Sequence, residues 1–66
     1  MADDDRLRTL VHDLRTPLTV VSGFAELLVR RGADLDQAQR EEYLSRIVDG
    51  TREMRVLLDD VRPASG

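Results

Sequence analysis

The 66-residue sequence contains no cysteine and no tryptophan, and aromatic residues make up only 3% of it. Without cysteine the chain has no disulfide and no Cys/His zinc cluster. With so few aromatic residues it has no bulky aromatic core. A chain of this size buries a limited share of its surface. Association with another copy is therefore the remaining route to stability.

An excess of positive charge is also missing, since the formal net charge is −3 at pH 7. An acidic balance disfavours a general nucleic-acid or anionic-membrane surface. No apolar run approaches membrane-spanning length, and the acidic N-terminus is unlike a signal peptide. We therefore expect a cytoplasmic chain with no nucleic-acid partner and no direct membrane contact. A parent protein anchored in a membrane elsewhere fits the same pattern.

Two long periodic segments are present, separated by one short break. Their apolar residues recur at alternating spacings of three and four, which predicts two helices with heptad-like stripes. The helices are expected at about 5–31 and 36–62, with a loop at about 32–35. Asp36 and Gln39 have the spacing of a capping box that begins the second helix. The apolar positions are Leu7, Leu10, Val11, Leu14, Leu18, Val21, Ala25 and Leu28, then Leu44, Ile47, Thr51, Met54, Leu58 and Val61.

A short loop between two long helices predicts an all-α fold, an antiparallel two-helix hairpin. A single hairpin leaves much of both apolar stripes in contact with water. Pairing two hairpins into a four-helix bundle buries these stripes, so we expect a homodimer. The hairpin takes up residues 1–62, and Pro63 begins a linker at 63–66.

One histidine, His12, lies early in the first helix. At about 100° per residue, Thr16, Thr19, Gly23 and Glu26 fall within about 40° of it, and the apolar stripe points to the opposite side. His12 therefore projects to solvent above a strip of small and polar residues that suits the surface of another protein. Phe24 lies beside this strip, where it either anchors a partner or fills the groove between the helices.

Pro17 lies inside the first helix, where it cannot donate a hydrogen bond to the carbonyl of Asp13. Because proline costs about 3 kcal/mol in a helix interior, its presence predicts a functional hinge rather than a tolerated kink. Glycine is also costly inside a helix. Gly23 is interpreted either as a place where a partner approaches closely or as a glycine tolerated in a well-packed bundle, and Gly50 has no explanation from the sequence.

The residues around His12 suit nucleophilic chemistry. Histidine side chains are largely neutral at pH 7, so a ring nitrogen is free to attack. The other nitrogen needs a holding group, and Asp13 is the nearest carboxylate. Adjacent helical residues point about 100° apart, so Asp13 must lean across to reach the ring. Thr16, one turn later on the same face, can orient a water molecule or a phosphoryl group.

The run HDLRTPL, residues 12–18, resembles the H-box of the HisKA family of sensor histidine kinases. In that family the histidine is followed by an acidic residue, then by two further residues, then by threonine or asparagine, then by proline. Here these positions are His12, Asp13, Thr16 and Pro17. The resemblance covers nearly the whole chain, because the family's dimerisation domain is a hairpin with this motif early in its first helix.

The resemblance implies a role in two-component signalling for each matched residue. His12 accepts the γ-phosphoryl group of ATP and passes it to an aspartate of a response-regulator receiver domain. Asp13 activates His12, Thr16 positions water when the receiver is dephosphorylated, and Pro17 marks the bend that couples a signal to His12. The surface expected to bind the receiver comprises Thr19, Val20, Gly23, Phe24 and Glu26 of the first helix, together with residues of the second helix that the sequence does not identify.

The family's ATP-binding domain has no counterpart in this sequence, which lacks a glycine-rich phosphate loop. We therefore expect no cofactor or metal in this chain and no kinase activity from it alone. ATP and Mg²⁺ come with a separate kinase domain acting in cis or in trans, and the receiver brings its own Mg²⁺. Both an excised domain and a split kinase fit this pattern, and the linker at 63–66 leads toward the missing domain.

Two other functions compete with phosphotransfer. A structural dimerisation scaffold needs the apolar stripes but gains nothing from Pro17. A module that binds receivers without chemistry keeps its affinity when His12 is replaced. Loss of phosphoryl transfer on substitution of His12 separates the first hypothesis from both.

Overall fold

The computed structural model describes residues 2–61, with side chains from residue 4 onward. Helix α1 spans Ala2–Arg31, a short 3-10 turn spans Gly32–Asp34, and helix α2 spans Gln37–Asp59. The expected all-α hairpin is confirmed, and residues 2–61 contain no strand. Helix α1 begins about three residues earlier than expected. The linker predicted at 63–66 lies outside the described residues.

The start of α2 is held by the capping box that its sequence predicts. The Asp36 side chain accepts a hydrogen bond from the backbone N–H of Gln39 at 2.8 Å. The Gln39 side chain accepts one from the backbone N–H of Asp36 at 3.1 Å. Two N–H groups that lack partners within the helix are therefore satisfied, which fixes where α2 begins.

The connection between the helices is also tied by Arg40, a residue that no sequence pattern singles out. Its guanidinium donates hydrogen bonds to the carbonyls of Gly32 at 2.9 Å and Leu35 at 3.3 Å. Carbonyls at the end of a helix have no partner within it. Arg40 therefore satisfies the acceptors of the loop and holds it against the first turn of α2.

The hairpin is thin, measuring 49 × 19 × 12 Å, and its apolar stripes are only partly covered. No apolar side chain among residues 4–61 is fully buried. Those half-buried between the helices include Leu10, Leu14, Val21 and Leu28 of α1 and Tyr43, Ile47, Met54 and Leu57 of α2. The stripe expected on α1 thus divides into one side that faces α2 and one that does not. On α2 the side facing α1 also includes Tyr43 and Leu57, which the expected stripe did not contain.

The uncovered side forms what we term the open apolar stripe, consisting of Leu7, Val11 and Leu18 of α1 and Leu44, Val48 and Leu58 of α2. Each of these side chains is between 45% and 60% exposed. Helical periodicity places both halves of the stripe on the same side of the hairpin and turns His12 about 120° around α1 from the stripe, away from α2. A surface that covered the stripe would therefore leave His12 accessible.

The two helices approach each other closely at Pro17 and Gly50, the only buried positions among residues 4–61. A Cβ atom built on Gly50 would lie 2.5 Å from Cγ2 of Val21 and 3.3 Å from the carbonyl oxygen of Pro17. A mid-helix glycine costs about 1 kcal/mol relative to alanine. The close approach explains this glycine, which the sequence alone does not.

The two mid-helix glycines should respond in opposite ways to alanine. A Cβ on Gly23 would have no atom within 4 Å, so Gly23→Ala should raise the free energy of unfolding by up to about 1 kcal/mol. Gly50→Ala gains the same helix propensity, but its Cβ crowds the contact between α2 and α1. The free energy of unfolding should therefore fall by about 1 kcal/mol. Urea unfolding at one protein concentration measures both. Equal shifts in the two variants would contradict the close approach.

Candidate functional site

His12 lies in the first half of α1, and its side chain is 85% exposed. The expectation that it is not a core histidine is confirmed. Its Nδ1 atom is 3.5 Å from Oδ1 of Asp13, whose side chain is 46% exposed. This distance is at the long limit for a hydrogen bond, so Asp13 has leaned across only partly. Nε2 is the ring nitrogen that this contact leaves free.

Thr16 is exposed and lies one turn after His12 on the same helix. Together with Arg15, Thr19 and Val20, it lines a shallow depression beside the imidazole of His12. A hydroxyl and an imidazole therefore border the same open space. This arrangement suits a reacting group presented by another molecule, because the depression is open to solvent.

Pro17 does not interrupt α1, which continues as an α-helix from Ala2 to Arg31. The residue is buried against α2, where Gly50 lies opposite it. Proline has no N–H, so the carbonyl of Asp13 lacks its usual helical donor. Nearby, the Thr19 hydroxyl donates to the carbonyl of Arg15 at 2.8 Å. Because the Pro17 N–H is missing, the turn that carries Asp13 and Thr16 depends more on packing against α2 than the neighbouring turns of α1 do. The hinge function of Pro17 stays a prediction.

The five residues predicted to bind a partner are brought together by the structure. They line one groove of roughly 420 Å³ along the exposed side of α1. Glu26 and Arg30 form an exposed ion pair of 3.5 Å at its edge. The full lining is Thr19, Val20, Gly23, Phe24, Glu26, Leu27 and Arg30. Binding of a partner in this groove stays a prediction.

Phe24 has both of the placements considered from the sequence. Its ring lies 5.1 Å from that of Tyr43, centroid to centroid, at an interplanar angle of 51°. This is a favourable geometry for an aromatic pair. Phe24 thus fills space between the helices and also forms part of the groove. The ring is held in place by α2 while one part of it remains open to a partner.

Helix α2 contributes a second, more polar depression next to the groove. It is lined by Pro17 and Val20 of α1 and by Arg46, Asp49, Gly50 and Glu53 of α2. Val20 lines this depression, the groove and the depression beside His12. The surface around His12 is therefore continuous and includes both helices.

The second helix was expected to contribute to this surface, but sequence reasoning did not identify which of its residues do, although a signal existed. Gly50 falls in register with Tyr43, Ile47, Met54 and Leu57, at spacings of four, three, four and three. A glycine inside such a stripe indicates that a neighbouring backbone comes close. With Gly50 facing α1, the neighbouring positions Asp49 and Glu53 necessarily face the groove side.

Over the described part of the chain, no group of His, Cys, Asp or Glu side chains is arranged to hold a metal ion. None of the helices in residues 2–61 combines the length and apolar character needed to cross a bilayer. What the arrangement offers is a nucleophilic nitrogen on an exposed helical face, a neighbouring carboxylate and a hydroxyl one turn away. These groups can act on a phosphoryl group that another molecule presents.

Comparison with known proteins agrees with the motif at His12. The family described as the His Kinase A (phospho-acceptor) domain matches residues 3–65. Cyanobacterial phytochrome A of Nostoc sp. strain PCC 7120 is 38% identical over 50 residues, which is 76% of this chain and 6% of the phytochrome. The chain therefore spans a small fraction of that relative's length. No solved structure matches significantly.

Proposed function

Since the chain belongs to the family of His Kinase A phospho-acceptor domains, we propose that His12 accepts a phosphoryl group from ATP and passes it to an aspartate of a receiver domain. The observation that carries this proposal is the placement of His12. Its imidazole is 85% exposed, with Nδ1 3.5 Å from a carboxylate oxygen of Asp13. An exposed nucleophile suits a site whose two reaction partners must both reach it from outside.

In the first step, the lone pair of Nε2 attacks the γ-phosphorus of ATP. A nitrogen–phosphorus bond forms, the bond to the bridging oxygen breaks, and ADP leaves. The ring becomes positively charged, and the Asp13 carboxylate beside Nδ1 stabilises that charge and the Nδ1 proton. ATP and Mg²⁺ are supplied by a separate kinase domain, in cis or in trans.

In the second step, a carboxylate oxygen of the receiver attacks the phosphorus while the nitrogen–phosphorus bond breaks. The bonding electrons return to Nε2, and His12 is neutral again. Positioning and charge stabilisation supply most of the catalysis in phosphoryl transfer. The Mg²⁺ of this step comes with the receiver. Thr16 orients a water molecule when the receiver is dephosphorylated instead.

The receiver docks on the groove of α1, which continues from the depression beside His12 through Val20. Gly23 leaves room for a close approach, because a Cβ there would meet no atom within 4 Å. Phe24 offers an apolar anchor that Tyr43 already holds in place. Anchors that are ordered before binding lose little entropy when a partner docks.

Two hairpins pair through their open apolar stripes into a four-helix bundle. A hairpin with no fully buried apolar side chain among residues 4–61 has little to stabilise it alone. Because His12 points away from both the stripe and α2, both copies stay accessible in the dimer. A reaction that draws on ATP supports a cytoplasmic location for this module, whether or not its parent protein carries a membrane anchor elsewhere.

The proposal is tested by incubating the native chain with phosphoramidate, a small phosphodonor for histidine, and measuring its intact mass. We expect the gain of one phosphoryl group. No gain in a sample shown to be folded and dimeric would favour a dimerisation scaffold or a receiver-binding module without chemistry. The small donor tests His12 without requiring the ATP-binding domain.

Asp13→Asn should slow this labelling by roughly tenfold to a hundredfold, because a hydrogen bond to a charged group contributes about 1.5–3 kcal/mol. The amide keeps the size of the side chain but loses the negative charge that stabilises the phosphorylated ring. Asp5→Asn is the matched control, since it removes the same charge from an exposed position of α1 two turns before His12. Equal rates for the two variants would show that the contact of 3.5 Å has no role in the reaction.

A further inference from the structure

The proposed reaction takes place on a turn of α1 that is missing one of its own hydrogen bonds. Pro17 has no N–H to donate to the carbonyl of Asp13. The turn between these residues follows His12 directly and carries Thr16. Its position is therefore set in part by what lies against Pro17 from outside α1.

The residue that packs against Pro17 from outside α1 is Gly50 of α2. Pro17 and Gly50 are the only buried positions among residues 4–61. A Cβ on Gly50 would come within 3.3 Å of the Pro17 carbonyl oxygen and 2.5 Å of Val21 Cγ2. The first of these atoms is backbone and cannot move without moving α1. The second belongs to a β-branched side chain, which has one strongly preferred rotamer in a helix.

We infer that Gly50 is a positioning residue for phosphotransfer: by letting the backbone of α2 contact Pro17 and Val21, it sets where α1 holds His12, Asp13 and Thr16. This inference rests on the proposed function. Gly50 does not touch the reacting atoms. It acts through Pro17, and any side chain larger than hydrogen at this position separates the helices at the level of the weakened turn.

The structure also identifies a compensating change. Replacing Val21 by alanine removes Cγ2, and the nearest remaining atoms to a Cβ at position 50 are then the Pro17 carbonyl oxygen at 3.3 Å and Val21 Cβ at 3.9 Å. Such distances need a shift of only a few tenths of an ångström. Gly50→Ala combined with Val21→Ala should therefore bring the helices back together.

The experiment compares native protein, Gly50→Ala, Val21→Ala and the double variant in labelling by phosphoramidate, at a temperature where circular dichroism shows native helix content. Ile47→Val, one turn earlier on α2 and half-buried, is the control for a general loss of packing. Backbone amide NMR shifts of residues 13–16 are recorded for each variant. These shifts report the geometry of the turn and do not depend on phosphorylation.

We expect Gly50→Ala to slow labelling by about tenfold and to shift the amides of residues 13–16. The double variant should recover to within about twofold of the Val21→Ala rate, and Ile47→Val should label like the native protein. If Gly50→Ala labels no more slowly than Ile47→Val, the positioning role is wrong. This comparison decides the question even if the double variant does not fold.

The amide shifts separate a failure of this inference from a failure of the proposed function. If the native protein is not labelled at all, phosphotransfer is in question, but shifts in residues 13–16 that Val21→Ala reverses still support Gly50 as the residue that positions this turn. Shifts confined to α2 would overturn the inference, whether or not the native protein is labelled.

Discussion

His12→Gln is expected to reduce phosphorylation by phosphoramidate to background while leaving helix content and association unchanged. Glutamine fills a similar volume but has no nucleophilic ring nitrogen. Because the His12 side chain is 85% exposed, replacing it removes little packing. Loss of phosphate gain without loss of structure therefore reports on chemistry alone.

The measurement is intact mass at neutral pH and again after brief exposure to acid. A phosphoryl group on a ring nitrogen is released by acid, whereas a phosphate ester on serine or threonine survives. The chain has one histidine, so an acid-labile gain that is absent from His12→Gln identifies His12 as the acceptor. Arg8→Gln, one turn earlier on an exposed position of α1, is the matched control and should label normally.

Two outcomes would contradict the assignment. Phosphate that survives acid would place the modification on a hydroxyl. An unchanged gain in His12→Gln would show that His12 is not the acceptor. Either result would shift the function toward a scaffold or a receiver-binding module, because the exposed imidazole would then have no demonstrated chemistry.

Leu44→Asp and Leu58→Asp should each dissociate the dimer, with the dissociation constant rising by about a hundredfold or more. Both side chains lie in the open apolar stripe, at 48% and 49% exposure in the single hairpin. A carboxylate placed in an apolar interface loses its hydration and finds no partner, which costs several kcal/mol. Since each tenfold change in affinity corresponds to about 1.4 kcal/mol, this cost accounts for a rise of about a hundredfold or more in the dissociation constant.

Val56→Asp is the control, since Val56 is 60% exposed and periodicity places it on the opposite face of α2 from Leu58. Light scattering after size exclusion should show a dimer for native protein and Val56→Asp, and a smaller species for the stripe variants. Melting temperatures should depend on protein concentration where the dimer forms. A native chain that is folded and monomeric at micromolar concentration would refute pairing through this stripe.

Helical periodicity explains why so much of the site was predictable. The direction of a helical side chain follows from its position in the sequence, so the exposure of His12 and the shared groove of Thr19, Gly23 and Glu26 follow from spacing alone. The capping box is equally local, because Asp36 and Gln39 are three residues apart. These features need no knowledge of what α1 packs against.

Features that depend on the distance between the helices were not predictable in this way. The predicted α2 stripe contained Leu44 and Leu58 but not Tyr43 and Leu57. Spacing alone does not show that the second pair faces α1 while the first faces away from it. Nor does it show that Gly50 meets Pro17. Arg40 reaches the loop through a long side chain that has many possible rotamers. Which rotamer it adopts is known only from its hydrogen bonds with the Gly32 and Leu35 carbonyls.

The pairing of Phe24 with Tyr43 has an optical consequence. Tyr43 is the one tyrosine of a sequence without tryptophan, so the intrinsic fluorescence of the chain comes from a single ring. That ring lies 5.1 Å from Phe24, which forms part of the groove. A partner without tyrosine or tryptophan that displaces Phe24 would change the emission of Tyr43, so the hairpin carries a native reporter of groove occupancy that needs no added label.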